Sequence, residues 1–297
     1  MAVIDAHQHV WDPRVARYDW LTPALSPIDR PFGFDELRPS LQRAGVDATV
    51  LVQSADNDDD TDLMLATAAA NPEVAAVVAY VPLDDADAAA ARIAELKATP
   101  LFVGVRTLIH EQPDPDWLLR PEVAGGLALL EENDLTFDLV AVLPRHLEHA
   151  STLAQRYPGL RIVIDHLAKP PIGRDDVEPW STLIAEAAAH PRVFAKVSGL
   201  YSAVGSSADW TVDSVRPVLH RALDLFGAER LMYGGDWPIS VLSGGYDRVW
   251  DGLSELIDEL SLDESTRILE GTAEEFYRID AARLAAAVTR NAQTSNL

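Results

Sequence analysis

Residues 34–53 read FDELRPSLQRAGVDATVLVQ, and this stretch carries the fold in miniature. FDELRPSLQRAG is an amphipathic segment of helical length. Its glycine stands where a helix should stop, and ATVLVQ is a short apolar, β-branched run of strand length. The alternation repeats outward in both directions. Strand-like runs begin at Val3 (VIDAHQHV), Ala48 (ATVLVQ), Val74 (VAAVVAYV), Phe102 (FVGVRTL), Leu135 (LTFDLVA), Arg161 (RIVIDHL), Val193 (VFAKVSG) and Arg230 (RLMYGGD). Helix-to-strand junctions such as ANPEVAAVV, ENDLTFDL and RYPGLRIVI are short and carry Gly, Pro or Asn-Asp. Strand-to-helix connections are often long: from Trp11 to Phe34, from Ile109 to Arg120 and from Tyr201 to Trp210. Eight βα units with long loops on one face predict a single-domain (β/α)8 TIM barrel over residues 1–297, with its active site at the C-terminal strand ends. The rival open sheet lacks a Gly-rich phosphate loop after the first strand. Beyond Gly245 the sequence predicts a C-terminal helical extension whose last part, residues 280–297, is a helical or frayed tail.

Composition narrows the function. The chain has 297 residues, 47 acidic and 24 basic side chains and a formal charge of -23, a field that repels nucleic acid and anionic membrane surfaces. No cysteine is present, so disulfides, thiolate metal sites and cysteine nucleophiles are excluded. The start, MAVIDAHQHV, shows no secretory pattern, and no apolar run reaches membrane-spanning length. A cytoplasmic protein is the expectation. A homo-oligomer is compatible with all of this. The run from Asp56 to Asp60 reads as a solvated loop and helix start.

Chemistry collects at the predicted strand ends. Alternate residues of a strand share a face, so Asp5, His7 and His9 are expected on one side of the first strand, with both histidines near the rim. Two imidazoles placed so can chelate a divalent ion or polarise a carbonyl. On the sixth strand, extended backbone sends Asp165 and His166 to opposite faces. His166 is expected inside, as a third imidazole, and Asp165 against a neighbouring strand or helix. On the eighth, Asp236 follows two glycines and precedes Trp237 and Pro238, which suits a ligand or a base that takes a proton from water. Arg106, Gln53, Lys196 and Trp237 are candidate substrate contacts, although buried charges near a barrel mouth also pair among themselves. Asp138, Ser198 and Trp11 are weaker candidates, and His110, His146, His149, His190 and His220 carry no special pattern. No Gly-x-Ser-x-Gly elbow is present.

In chain order, IDAHQHVWDP, VGVR, IDHLAKP, KVSGL, GGDWP and GTAEEFYRI resemble the amidohydrolase superfamily, from Asp5 to about Ile279. Within it they are most similar to the sugar-lactone hydrolases, the branch of the L-fuconolactonases and L-rhamnonolactonases. The resemblance implies that His7, His9, His166 and Asp236 form the active-site constellation and that Arg106 contacts substrate. It also implies opening of a sugar or sugar-acid lactone by water that Asp236 activates. The partner is then a small-molecule lactone. Two-metal members carry a bridging Lys or Glu on the fourth strand and a histidine on the fifth, where this chain has Arg106 and Asp138. The resemblance therefore implies at most one divalent ion, zinc first, on His7, His9, His166 and Asp236; members of the branch also work without metal. A metal-dependent non-oxidative decarboxylase of the same superfamily is the alternative, and a sugar-acid-binding pseudoenzyme the reading outside catalysis.

Overall fold

A computed structural model describes residues 2–201 and 210–294. Eight parallel strands follow one another in the order of the sequence: β1 (Ile4–Gln8), β2 (Ala48–Val52), β3 (Val74–Ala79), β4 (Phe102–Arg106), β5 (Thr136–Leu139), β6 (Arg161–Ile164), β7 (Val193–Val197) and β8 (Leu231–Tyr233). The sheet closes just beyond β8, where His9 N donates to the Trp237 carbonyl and Asp236 N to the His7 carbonyl, both at 2.8 Å. Helices α1 (Phe34–Ala44), α2 (Asp58–Ala70), α3 (Ala86–Leu96), α4 (Pro121–Glu132), α5 (Pro144–Arg156), α6 (Trp180–Ala188), α7 (Val212–Phe226) and α8 (Tyr246–Ile257) alternate with the strands. This is the expected (β/α)8 barrel. Gly45 ends α1 in the left-handed conformation, φ 68°, that a glycine takes without steric cost.

The period-2 pattern of the strands divides the apolar residues into two cores. Ile4, Ala6, Val50, Val52, Ala76, Val78, Val163 and Met232 form the inner one, while their neighbours Leu51, Val77, Ile162 and Ile164 pack outward with the helices. The C-terminal extension, α9 (Leu262–Thr266), a π-turn at Arg267–Gly271, α10 (Thr272–Tyr277) and α11 (Ala281–Thr294), supplies the inner core with Phe276, Tyr277, Leu284 and Ala287. Tyr277 reaches far enough to donate from Oη to Asp138 Oδ2 at 2.7 Å. The tail that the sequence leaves as helical or frayed is a helix through residue 294, tied down by Arg283 to the carbonyls of Ala68 and Val74. Residues 295–297, and most of the loop between Tyr201 and Trp210, lie outside the described residues.

Two expectations need correction. Asp5 does not share a face with His7 and His9. It lies between the inward Ile4 and Ala6 and bonds outward to Tyr246 Oη of α8 at 2.8 Å and to the Gln8 amide. The β1–β2 register slips between Asp5 and Gln8, and this irregularity turns the two histidines inside. The acidic run is not uniformly solvated either. Asn57 caps α2 as a loop residue should, but Asp60 is fully buried, accepting from Tyr18 Oη and Ser54 N at 2.8 Å each.

Candidate active site

Three imidazoles and one carboxylate meet at the C-terminal mouth of the barrel. His7 and His9 come from β1 and its end, His166 from the end of β6 and Asp236 from the end of β8. Asp236 Oδ1 lies 3.6 Å from His9 Nε2, 3.8 Å from His7 Nε2 and 4.0 Å from His166 Nε2. All four side chains are buried. Each imidazole is held through its other nitrogen. His9 Nδ1 sits 2.7 Å from the Val52 carbonyl, an acceptor only, so Nδ1 carries the proton and Nε2 presents its lone pair. His166 Nδ1 pairs with Ser198 Oγ at 2.8 Å, and His7 Nδ1 faces Lys196 Nζ at 3.0 Å.

The expectation that only one of Asp165 and His166 enters the barrel does not hold; both do. β6 stops at Ile164, and His166, Leu167, Ala168 and Lys169 then take four consecutive left-handed conformations, φ 49° to 58°. Such residues cost roughly 1–2 kcal/mol each. Burial of Leu167 and a 2.7 Å bond from Trp180 Nε1 to its carbonyl hold the turn. Asp165 faces inward, two residues on from the inward Val163, against Arg106 Nε at 2.8 Å, and the left-handed step at His166 breaks the alternation and brings that residue to the mouth as well.

A cavity of about 250 Å³ opens above the four residues. His9, His166 and Asp236 reach its wall, whereas His7 lies just behind them, fully buried. Trp11 and Trp20, edge to face at 5.2 Å, form an aromatic wall, and Leu108, Val140, Val142 and Ile239 an apolar one. Among the described residues Asp236 is the only acid of the lining, which includes Arg106, Lys169 and His110. Burial, then the charges of Arg106 and Lys169, lower the His110 imidazole to about 4, so it faces the cavity neutral.

The other expected contacts separate. Arg106 lines the cavity, steadied by Asp165 and by the Gln53 carbonyl at 2.8 Å. Gln53 itself does not; its amide donates to the Arg106 carbonyl at 2.9 Å and to Asp56 at 3.0 Å. Lys196 is fully buried below the floor, 2.5 Å from Asp138 Oδ2 and 3.2 Å from Asp165 Oδ1. Trp237 turns its ring to Phe32, centroids 5.3 Å apart, and takes no part in the wall. Trp20, Lys169 and His110 reach the cavity without having stood out as its residues. For Lys169 the signal was in plain view, because it stands in the IDHLAKP string, just before its closing proline.

His7, His9 and Asp236 fit a divalent ion. His7 and His9 Nε2 atoms lie 3.2 Å apart, against about 3.3–3.4 Å for two nitrogens on tetrahedral zinc. Among the described residues, His7, His9 and Asp236 can hold an ion together, and so can His7, Asp165 and His166.

A parallel barrel with imidazoles and a carboxylate at its strand ends defines a hydrolase-type site of the TIM-barrel class. Residues 4–279 match the amidohydrolase family model, and the chain belongs to that family. It is 41% identical over 281 residues to an L-fucono-1,5-lactonase of Burkholderia ambifaria, covering 93% of this chain and 96% of the relative. An L-fucono-1,5-lactonase of Burkholderia multivorans is 32% identical over 93% of this chain and 96% of its own. A solved amidohydrolase from Burkholderia multivorans with bound zinc superimposes with a TM-score of 0.86 at 30% identity, over 94% of this chain and all of the other.

Proposed function

We propose that the chain hydrolyses the ring ester of a sugar lactone. The observation that carries the reading is the convergence of three imidazole Nε2 atoms within 4.0 Å of Asp236 Oδ1, at the wall of an aromatic-sided cavity. The likeness to two proteins named as L-fucono-1,5-lactonases supports the substrate class.

Burial raises the Asp236 carboxyl, but the imidazoles around it, His166 first, outweigh burial and hold it below the ordinary carboxylate range. Asp236 is thus ionised at neutral pH. It orients a water and accepts its proton as the oxygen bonds to the lactone carbonyl carbon. The carbonyl electron pair moves onto its oxygen, where an Nε2–H of His166, with Ser198 Oγ donating to its Nδ1, stabilises the charge; His9, with its lone pair on Nε2, would contribute there through a bound ion. When the pair returns, the ring C–O bond breaks, and Asp236 gives its proton to the departing alkoxide. Arg106 and Lys169 offer positive charge to the carboxylate product. His7, His9 and Asp236 would hold a zinc ion of the kind bound by the Burkholderia multivorans relative, which would supply Lewis-acid polarisation of the carbonyl.

A pH-indicator screen for acid release across aldonolactones tests the reading. Turnover of at least one 1,5- or 1,4-lactone is expected. Carbon dioxide release from an aromatic acid, with no acid release from any lactone, would overturn it in favour of the decarboxylase.

A further inference from the structure

A second cavity, of about 540 Å³, lies beside the first, and Trp20 and Leu108 line both. The chain crosses from one to the other within two residues: Ser54 lines the inner cavity, Ala55 and Asp56 the outer. Trp20 and Leu108 therefore stand as a wall between two chambers. The inner one, at about 250 Å³, is smaller than the roughly 300–1,000 Å³ that encloses a drug-sized ligand, and takes one sugar ring rather than two.

Both halves of the wall are fastened to the segment that follows β2. The Trp20 indole donates to the Ser54 carbonyl at 2.6 Å, and its ring stands edge-on to Trp11 and Tyr18. Leu108 donates its backbone N–H to Asp56 Oδ1 at 2.9 Å, the oxygen that also accepts from the Gln53 amide. Asp60 in turn accepts from Ser54 N, Ala55 N and Tyr18 Oη, which ties this segment to the loop that carries Trp20. A substituent directed at the wall meets carbon that is held in place, and the clash penalises that ligand alone.

Beyond the wall the chemistry changes. Asp19, Asp56, Asp59 and Glu111 line the outer chamber, and among the described residues Arg17 is the one base of its lining. Arg17 is itself paired with Asp19 at 2.6 Å. Such a lining offers acceptors to the hydroxyls of a neutral sugar and repels an anionic one.

We propose that Trp20, with Leu108, is the specificity-determining wall of the site: it holds the chain to single-ring lactones by rejecting those whose glycosyl substituent is directed at the outer chamber. This role rests on the lactone reading and narrows the substrate class within it. With the wall removed, the outer chamber accepts a neutral glycosyl group.

Acid release is measured for the single-ring lactone that the native chain opens fastest, and for its derivatives carrying one glucosyl group on each ring hydroxyl in turn. Native protein should reject at least one derivative by about 100-fold in kcat/KM. In Trp20→Ala that derivative's kcat/KM should rise about tenfold or more while the parent lactone's falls, a reversal that general damage to the fold does not produce. A glucuronosyl group at the same position should gain less. Leu108→Ala, which opens the other half of the wall, should raise the same derivative and decides the matter should Trp20→Ala not fold. Three results each overturn the proposal: native turnover of every derivative as fast as the parent, no derivative raised in either variant, or equal gains for glucosyl and glucuronosyl groups. With the parent lactone turned over, any of these leaves the lactone reading standing. Acid release from no lactone at all overturns that reading and the proposal with it.

Discussion

His166 Nε2 lies 4.0 Å from Asp236 Oδ1, and both residues hold a left-handed backbone, φ 56° and 52°. Neither is a glycine. An extended continuation of β6 and β8 would carry these side chains on along their strands; the left-handed step turns each back over the barrel axis, where they meet. Strain of this kind persists only where surrounding contacts over-determine it. Here the contacts are the buried Leu167 on one side and the Asp236 N to His7 carbonyl bond on the other.

Among the described residues Asp236 is the only acid that lines the cavity, and none of the others there can take its place as a carboxylate. Asp236→Asn keeps shape and volume and removes the carboxylate proposed to accept the proton. We expect the variant to fold normally and to lose at least ~100-fold in kcat. Near wild-type turnover on a lactone that the native enzyme hydrolyses would remove Asp236 from the mechanism.

Gly199 tests the His166–Asp236 geometry from the side. Its φ is +59°, and an added Cβ would lie 2.6 Å from His166 Nδ1 and 3.0 Å from Asp236 Oδ2. Gly199→Ala must displace one of these side chains. A misplacement approaching 1 Å costs on the order of 100-fold in rate. Steady-state kinetics should show that loss in kcat, in protein whose circular dichroism matches the native enzyme. Unchanged kcat would mean that the site tolerates displacement of His166.

Much of this arrangement is legible in the sequence, and the exceptions share physical causes. Strand periodicity and the Gly, Pro and Asn-Asp junctions identify all eight strands, because each is a local signal of backbone period or helix termination. Periodicity tells which residues point inward but not how high in the barrel they stand. Lys196 and Gln53 do lie inside, yet below or beside the cavity instead of in its wall. Extended backbone admits only one of Asp165 and His166 to the interior; Asp165 keeps the alternation of the inward Val163, while His166 enters through a left-handed run to Lys169 that carries no glycine to announce it. Trp20 sits in a long loop with no period at all, so only the tertiary fold brings it to Trp11.

The pH profile follows from burial. Burial first, with the charges of Lys169 and Arg106 adding to it, lowers the His166 imidazole to about 4, although Asp236 and Asp165 pull the other way. Asp236 is held lower still. A depressed imidazole is neutral above its folded value and gains its proton only as pH falls through that value. Protonated His166 then ion-pairs with Asp236 and takes the base out of use. We expect kcat/KM to stay level from neutral pH to about one unit above the His166 value and to fall below it. An acid limb centred near the ordinary imidazole value, about 6.5, would show that His166 is not the controlling group.

Trp20 isolates binding from chemistry. It is half-buried, donates from Nε1 to the Ser54 carbonyl at 2.6 Å and stands edge-on to Trp11. It lines the cavity, and its indole N–H is taken up by the Ser54 carbonyl. Its indole offers a flat apolar face to the C–H side of a sugar ring and plays no part in proton transfer. Truncation should therefore weaken ground state and transition state alike. Trp20→Ala is expected to raise KM roughly tenfold and to leave kcat within a few-fold of native, since an aromatic wall contributes about 0.5–1.5 kcal/mol beyond its buried area. The substitution also removes one partner of Trp11, so Trp20→Phe, which retains a ring against it, should recover most of the loss in KM. A fall in kcat at unchanged KM would reassign Trp20 from holding the substrate to orienting it for attack.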